Sequence, residues 1–118
     1  MIVFCYPKCS TCQRALKWLN DRDITYTTRH IVDERPTRDE IAAWHRSSGI
    51  PLRRFFNTSG MLYRDMGLKD RLATMSDDEQ LDLLASNGML VRRPVVIDDG
   101  IVLVGFKEAE WEAALSGR

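Results

Sequence analysis

The chain opens on an unbroken apolar run, Ile2-Val3-Phe4-Cys5-Tyr6, with no polar face. A short β-branched and aromatic run of this kind fits a central strand covered on both sides. Pro7-Lys8 ends it in a turn. From Cys12 onward the apolar period lengthens, and Ala15, Leu16 and Leu19 follow at helical spacing. Ser10-Thr11-Cys12-Gln13 has the capping-box pattern, in which the serine and the glutamine three residues later satisfy free amides at a helix start. A helix is expected from residue 10 to about residue 22. Residues 24–32 are rich in Thr, Ile, Tyr and Val and predict a second strand. Strand, helix and strand in this order form a βαβ unit, with parallel strands and a right-handed crossover.

Beyond Pro36 the pattern is helical. Thr37-Arg38-Asp39-Glu40 is a second capping box, opening a helix with Ile41 and Trp44 inward and Gly49 as its stop. Residues 51–56 predict a short helical turn, Asn57-Thr58-Ser59-Gly60 a loop, and residues 61–66 another short helical piece stopped by Gly67. A third box, Ser76-Asp77-Asp78-Glu79, starts a helix that carries Leu81, Leu84 and Ala85 and ends at Asn87-Gly88. Strands then return, as residues 95–97 and 101–104 flank Asp98-Asp99-Gly100, whose Asp-Gly pair signals a tight hairpin. Residues 107–115 predict a last helix with Trp111, Ala114 and Leu115 on one side. The order βαβ, helices, β-hairpin, helix is that of an α/β thioredoxin-like fold: a mixed four-stranded sheet, one domain over residues 1–118, and a helical insertion at about 36–91.

Composition narrows the function classes. With 44% hydrophobic and 29% charged residues, the 118-residue chain is near the globular average. Seventeen basic and seventeen acidic residues cancel, which argues against direct nucleic-acid binding through backbone electrostatics. The first apolar run is too short for a signal peptide or a membrane span, so a cytoplasmic protein is expected. All three cysteines, Cys5, Cys9 and Cys12, fall within the first twelve residues. They cannot form an extended disulfide framework, so cysteine here means chemistry or packing.

Cys9-Ser10-Thr11-Cys12 beside a βαβ unit is the cue for a redox-active thiol pair. Cys9 precedes the first helix, whose positive end favours thiolate. That dipole supplies only about 0.3 to 1 kcal/mol, less than the ~1.36 kcal/mol of one pK unit, so a cation must add to it. Lys8 and Arg93 are the candidates. Cys12, one turn further in and more buried, would resolve the intermediate formed by Cys9 and close a disulfide with it. Arg92-Arg93-Pro94 precedes the returning strand; a cis proline there would face the cysteine loop and hold Arg93 near Cys9, with Arg92 beside it. Blander readings compete. The cysteines could be half of a zinc site with Cys5, but there is no second pair and neither His30 nor His45 has ligand spacing, so no metal is expected. Cys5 reads as core, the two histidines as strand-face and helix-face residues, and Trp18, Trp44 and Trp111 as packing.

Several separated motifs occur together in order: Tyr6-Pro7-Lys8-Cys9-Ser10-Thr11-Cys12, Asn57-Thr58-Ser59-Gly60, Gly67-Leu68-Lys69-Asp70, Arg92-Arg93-Pro94-Val95-Val96 and Gly105-Phe106-Lys107. With them the chain resembles the arsenate reductase (ArsC) family, and within it the Spx and YffB-like branch. The resemblance implies a thioredoxin-like fold with a helical insertion, the catalytic cysteine at Cys9, and the second cysteine of the Spx-like branch at Cys12. Ser10, Thr11, Lys8, Arg92 and Pro94 are the expected binding surroundings. The arsenate-reducing branch sets three arginines around its oxyanion; Arg93 matches one, and Asn57 and Gly105 stand at the other two positions, which weighs against arsenate. The expected activity is thiol-disulfide oxidoreduction on a small thiol or an oxidised protein. Glutathione is the expected co-substrate and thioredoxin or glutaredoxin the reductant, with no bound cofactor. The alternatives are genuine arsenate reduction and a redox-sensing regulator that binds the RNA polymerase α subunit.

Overall fold

The computed structural model describes residues 1–117. Strand β1 (Ile2–Cys5) runs parallel to β2 (Thr27–His30) on one side and antiparallel to β3 (Val95–Asp98) on the other, and β3 pairs with β4 (Ile101–Val104). The strand order is β2-β1-β3-β4, the mixed thioredoxin-like sheet expected from the sequence. Alternation along the strands feeds two cores. Phe4, Val95 and Val104 face one side, and Val3, Cys5 and Val96 the other. This is why β1 shows no polar face: both of its sides are covered.

Helix α1 (Ser10–Asp21) and helix α6 (Glu108–Leu115) close the second face, where Trp18 and Trp111 meet edge to face at 5.8 Å. The segment between β2 and β3 closes the first. It holds α2 (Arg38–Ser48), a 3-10 turn (Leu52–Phe55), α3 (Met61–Asp65), α4 (Leu68–Arg71) and α5 (Asp77–Ser86), with 3-10 turns at Leu72–Thr74 and Gly88–Leu90. Both expected capping boxes are formed here, at Thr37/Glu40 and Ser76/Glu79. Gly49 and Gly67 take the left-handed conformation expected of stops. In the hairpin, Asp99 and Gly100 both have positive φ, as a type I′ turn requires. Among the described residues, no helix is long and apolar enough to cross a membrane.

Two local expectations are corrected. The first helix is not capped by a Ser10/Gln13 box: Cys9 is its N-cap, with no side-chain cap, and Gln13 Nε2 instead donates to the Pro7 carbonyl at 3.1 Å. The Pro7-Lys8 turn is closed by Cys9 N–H donating to Tyr6 O at 3.0 Å. It brings Cys9 to the helix start one residue early and places Ser10 inside the first turn, where a capping side chain cannot work. The second strand is also shorter than residues 24–32. It is an edge strand with pairing only along β1, and beyond His30 the chain turns, held by His30 Nδ1 accepting from the amides of Val32 and Asp33, both at 3.1 Å.

The end of the helical segment is fixed against this turn. A Cβ at buried Gly88 would overlap the carbonyl oxygen of Ile31, a backbone atom that no rotamer change can move. Gly88→Ala is therefore expected to destabilise the fold by at least about 1–3 kcal/mol, read as a lowered urea midpoint with an unchanged m-value.

Candidate active site

The site begins where β1 stops. The turn after Tyr6 sets Cys9 at the N-terminus of α1, and the first helical turn then carries Cys12 inward to 1% exposure while Cys9 stays half-buried. Tyr6 N–H donates to Cys12 Sγ at 3.5 Å, so that sulfur lies against the backbone at the end of β1. Cys5 points to the same face and is also buried. All three cysteines are free thiols, and Cys12 lies close enough to Cys5 and Cys9 for both to act on its ionisation.

This nearness decides where negative charge resides. Cys5 and Cys12 cannot both ionise side by side. Cys12 has the donors: the Cys5 thiol first, then Tyr6 N–H and the Cys9 thiol, with the charge of Arg93 adding to them. Against the opposing cost of burial, they draw its thiol from an ordinary value near 9 down to about 6. Cys5 is pushed upward, first because its proton is held by Cys12 and then because it is buried.

Cys9 opens into a cavity of about 660 Å³ between the cysteine loop, the Asn57–Gly60 loop and the residues that follow β4. Its charged lining is Arg14, Arg54, Arg92, Arg93 and Lys107, with no aspartate or glutamate. None of the five is in an ion pair with a carboxylate among the described residues. Arg93 precedes a cis peptide bond to Pro94, as expected, and its guanidinium lies 5.1 Å from the centre of the Tyr6 ring. Its Nε and one terminal nitrogen are buried without a hydrogen-bond partner. Buried donors left unpaired are costly, and an anionic ligand in this cavity would satisfy them. Arg92 lies over Gly105, where a Cβ would come within 3.2 Å of its Nε; Gly105 also has φ +79°.

Of the residues singled out from the sequence, Cys9, Thr11, Arg92 and Arg93 meet at this cavity, and Cys12 lies directly behind Cys9. Lys8 and Ser10 do not join them: both are exposed and neither lines the cavity. The Pro7-Lys8 turn directs Lys8 to solvent, so Arg93 alone of the two proposed cations reaches the thiols. Pro94 is buried behind the site, its carbonyl accepting from Gly105 N–H at 2.8 Å. The sequence reading missed Arg14, Arg54 and Lys107. Arg14 could have been found, since it lies three residues from Thr11 on one helix face and donates to its hydroxyl at 3.4 Å. Arg54 had no local signal. Cys5 reads correctly as buried, but its place beside Cys12 was not foreseen. Among the described residues, no group of three His, Cys, Asp or Glu side chains is placed to hold a metal ion.

The charge on Cys12 predicts two measurements. In the fully reduced protein one thiolate is expected to appear in the ultraviolet spectrum at about pH 6 and to be missing from Cys12→Ser. Because the folded-state value is lowered, the stability it contributes is full above the ordinary thiol value near 9 and is lost as pH falls through about 6. The upward shift of Cys5 acts only above the ordinary value and leaves this window untouched. The stability advantage of the reduced parent over Cys12→Ser, measured by urea unfolding, is therefore expected to shrink between pH 9 and pH 6.

Comparison with known proteins agrees with this geometry. The ArsC family model matches residues 4–114. The chain is 50% identical to the YusI protein of Bacillus subtilis (strain 168), with 91% of each chain covered. It is 29% identical to the global transcriptional regulator Spx of Staphylococcus epidermidis, over 92% of this chain and 81% of that one. A crystal structure of an ArsC family related protein from Bacteroides fragilis superposes with a TM-score of 0.92 at 52% identity, covering 95% of this chain and 94% of that one. With the family model matching almost the full length of the chain and relatives at 50% identity and above, it belongs to the ArsC family.

Proposed function

We propose that the protein is a thiol-disulfide oxidoreductase acting on small anionic disulfides, with oxidised glutathione and its mixed disulfides as the substrate class. The observation that carries this reading is the cavity at Cys9, with five basic residues and no acidic one in a chain whose net charge is zero. A glutathionyl group brings carboxylates that the unpaired Arg93 donors and the neighbouring cations would bind. Its disulfide sulfur would then meet Cys9, the only one of the three thiols lining the cavity.

The chemistry uses the nearness of Cys9 and Cys12 within one helical turn. As Cys9 attacks, its proton passes to the Cys12 thiolate, so the charge moves from the buried sulfur to the reacting one. A mixed disulfide forms on Cys9 and the first thiolate leaves. Cys12 then attacks Cys9 Sγ, its proton going to the second leaving thiol, and a Cys9–Cys12 disulfide closes. The substrate has gained two electrons and the protein has lost them. A thioredoxin or glutaredoxin resets the pair, and glutathione can do so when the substrate is a mixed disulfide. Arsenate would be a variant substrate for the same basic cavity.

The similarity to Spx favours a second reading, in which the same thiol pair is a sensor and the reduced or oxidised surface binds the RNA polymerase α subunit. Pull-down of the α subunit's C-terminal domain by the oxidised and the reduced protein tests it; absence of binding in both states removes it.

Replacing Cys9 with serine is expected to abolish turnover of oxidised glutathione in a coupled assay. Cys12→Ser should accumulate a glutathionyl adduct on Cys9 detectable by intact mass. Arg93→Met should lower kcat/KM by about 10- to 100-fold, the loss of one or two charge-assisted hydrogen bonds. Undiminished turnover in Cys9→Ser would remove the assignment.

A further inference from the structure

Cys5 stands outside the cysteine pair, yet it lies against the pair's inner member. Along β1, alternation sends Val3 and Cys5 to the face covered by α1, into the same buried cluster as Cys12. Tyr6 N–H fixes Cys12 Sγ against the backbone one residue after Cys5, so the two thiols lie in the same small region of the buried cluster. Behind them is a second cavity, of about 260 Å³, lined by both Cys5 and Cys12 together with Tyr6, Leu16 and His30. No residue lines both this cavity and the basic one at Cys9. Cys12 is thus the middle sulfur of three, with Cys9 toward the substrate side and Cys5 toward the rear.

We propose that Cys5 is a third redox thiol, which displaces Cys9 from the Cys9–Cys12 disulfide and leaves a buried Cys5–Cys12 disulfide behind the active site. The proposal rests on the oxidoreductase reading, because the Cys9–Cys12 disulfide is its starting point. Cys5 Sγ attacks Cys12 Sγ; the Cys9–Cys12 bond breaks, the Cys5–Cys12 bond forms, and the departing Cys9 sulfur takes the proton that Cys5 gives up. No electron enters or leaves. A disulfide requires its two Cβ atoms to approach to about 3.8 Å, and the rear cavity gives both side chains room to turn without overpacking the core.

The exchange is gated by the oxidation state of Cys12. In the reduced protein the Cys12 thiolate holds the Cys5 proton, which keeps Cys5 unreactive. Once Cys12 is in a disulfide that charge is gone, and only burial opposes ionisation of Cys5. The product stores the oxidation inside the core and returns Cys9 to the basic cavity as a lone thiol. In that state Cys9 has no resolving partner and would keep a glutathionyl group it acquires. The protein would then alternate between a turnover form and a capped form.

The cleavage sites of trypsin separate these states. Lys8 lies between Cys5 and Cys9, and Arg14 follows Cys12, so residues 1–8 carry Cys5 while residues 9–14 carry Cys9 and Cys12. The full-length protein is oxidised with oxidised glutathione, quenched in acid, alkylated and digested without reduction. A Cys9–Cys12 bond stays within the peptide 9–14, whereas a Cys5–Cys12 bond joins it to the peptide 1–8. The expected result is both products, the joined one having its alkyl or glutathionyl group on Cys9. Loss of the joined peptide is expected in both Cys5→Ser and Cys5→Ala, with the internal disulfide retained; two variants guard against loss of folding in one. The internal disulfide without any joined peptide overturns the proposal and leaves the oxidoreductase reading standing. A join through Cys9 instead of Cys12 also overturns it. Absence of both products overturns the proposal and the reading together.

Discussion

The hydrogen bond from Tyr6 N–H to Cys12 Sγ, at the junction of β1 and α1, settles most of what the site can do. It ties the first turn of the helix to the end of the central strand and supplies a backbone donor to a sulfur that is almost wholly buried. A buried thiolate is costly unless it is paired with donors and a cation. The neighbouring Cys5 thiol, the Tyr6 amide, the Cys9 thiol and the charge of Arg93 together favour the charged form of Cys12. Cys5, one residue before the donating amide, supplies a proton instead of accepting one. The charge is thus assigned to Cys12 by the neighbouring Cys5 thiol first and by the Tyr6 amide after it.

Neutral net charge conceals a strong segregation of charge. The basic residues around Cys9 come from α1, from the 3-10 turn and from the segments flanking β3 and β4, and no carboxylate joins them. Elsewhere several arginines are paired with carboxylates: Arg29 binds Glu40 at 2.7 Å, and Arg38 binds Asp78 and Asp82, tying α2 to α5. The cations at Cys9 are left for a ligand, with only short local contacts such as that of Arg14 to Thr11. This division is consistent with a fold in which exposed pairs hold the helical segment in place while unpaired donors are kept for the site.

Much of the architecture is readable from local signals. Capping boxes at Thr37 and Ser76, stops at Gly49 and Gly67, and the Asp99-Gly100 turn each involve residues within four positions of one another, so sequence alone reports them. The same kind of signal fails at Ser10, where the turn closed by Tyr6 and Cys9 starts the helix a residue sooner. It fails again at the ends of β2, whose length is limited by the short run of β1 available for pairing. At the site, Cys9, Cys12, Arg93 and the cis Pro94 were legible from their motifs, whereas Lys8 and Ser10 were named by nearness in sequence and point away.

The sequence by itself determined the order of elements, the two-faced burial of β1 and the position of the cysteines at the head of α1. These follow from periodicity and from turn and cap chemistry, which act over a few residues. Only the tertiary structure decided that Arg54 joins Cys9 around one cavity across more than forty residues of chain, that Arg92 finds its space over Gly105, and that Cys5 and Cys12 line one cavity. Such contacts depend on how far a sheet twists and where a distant segment packs, and no short pattern in the chain encodes that.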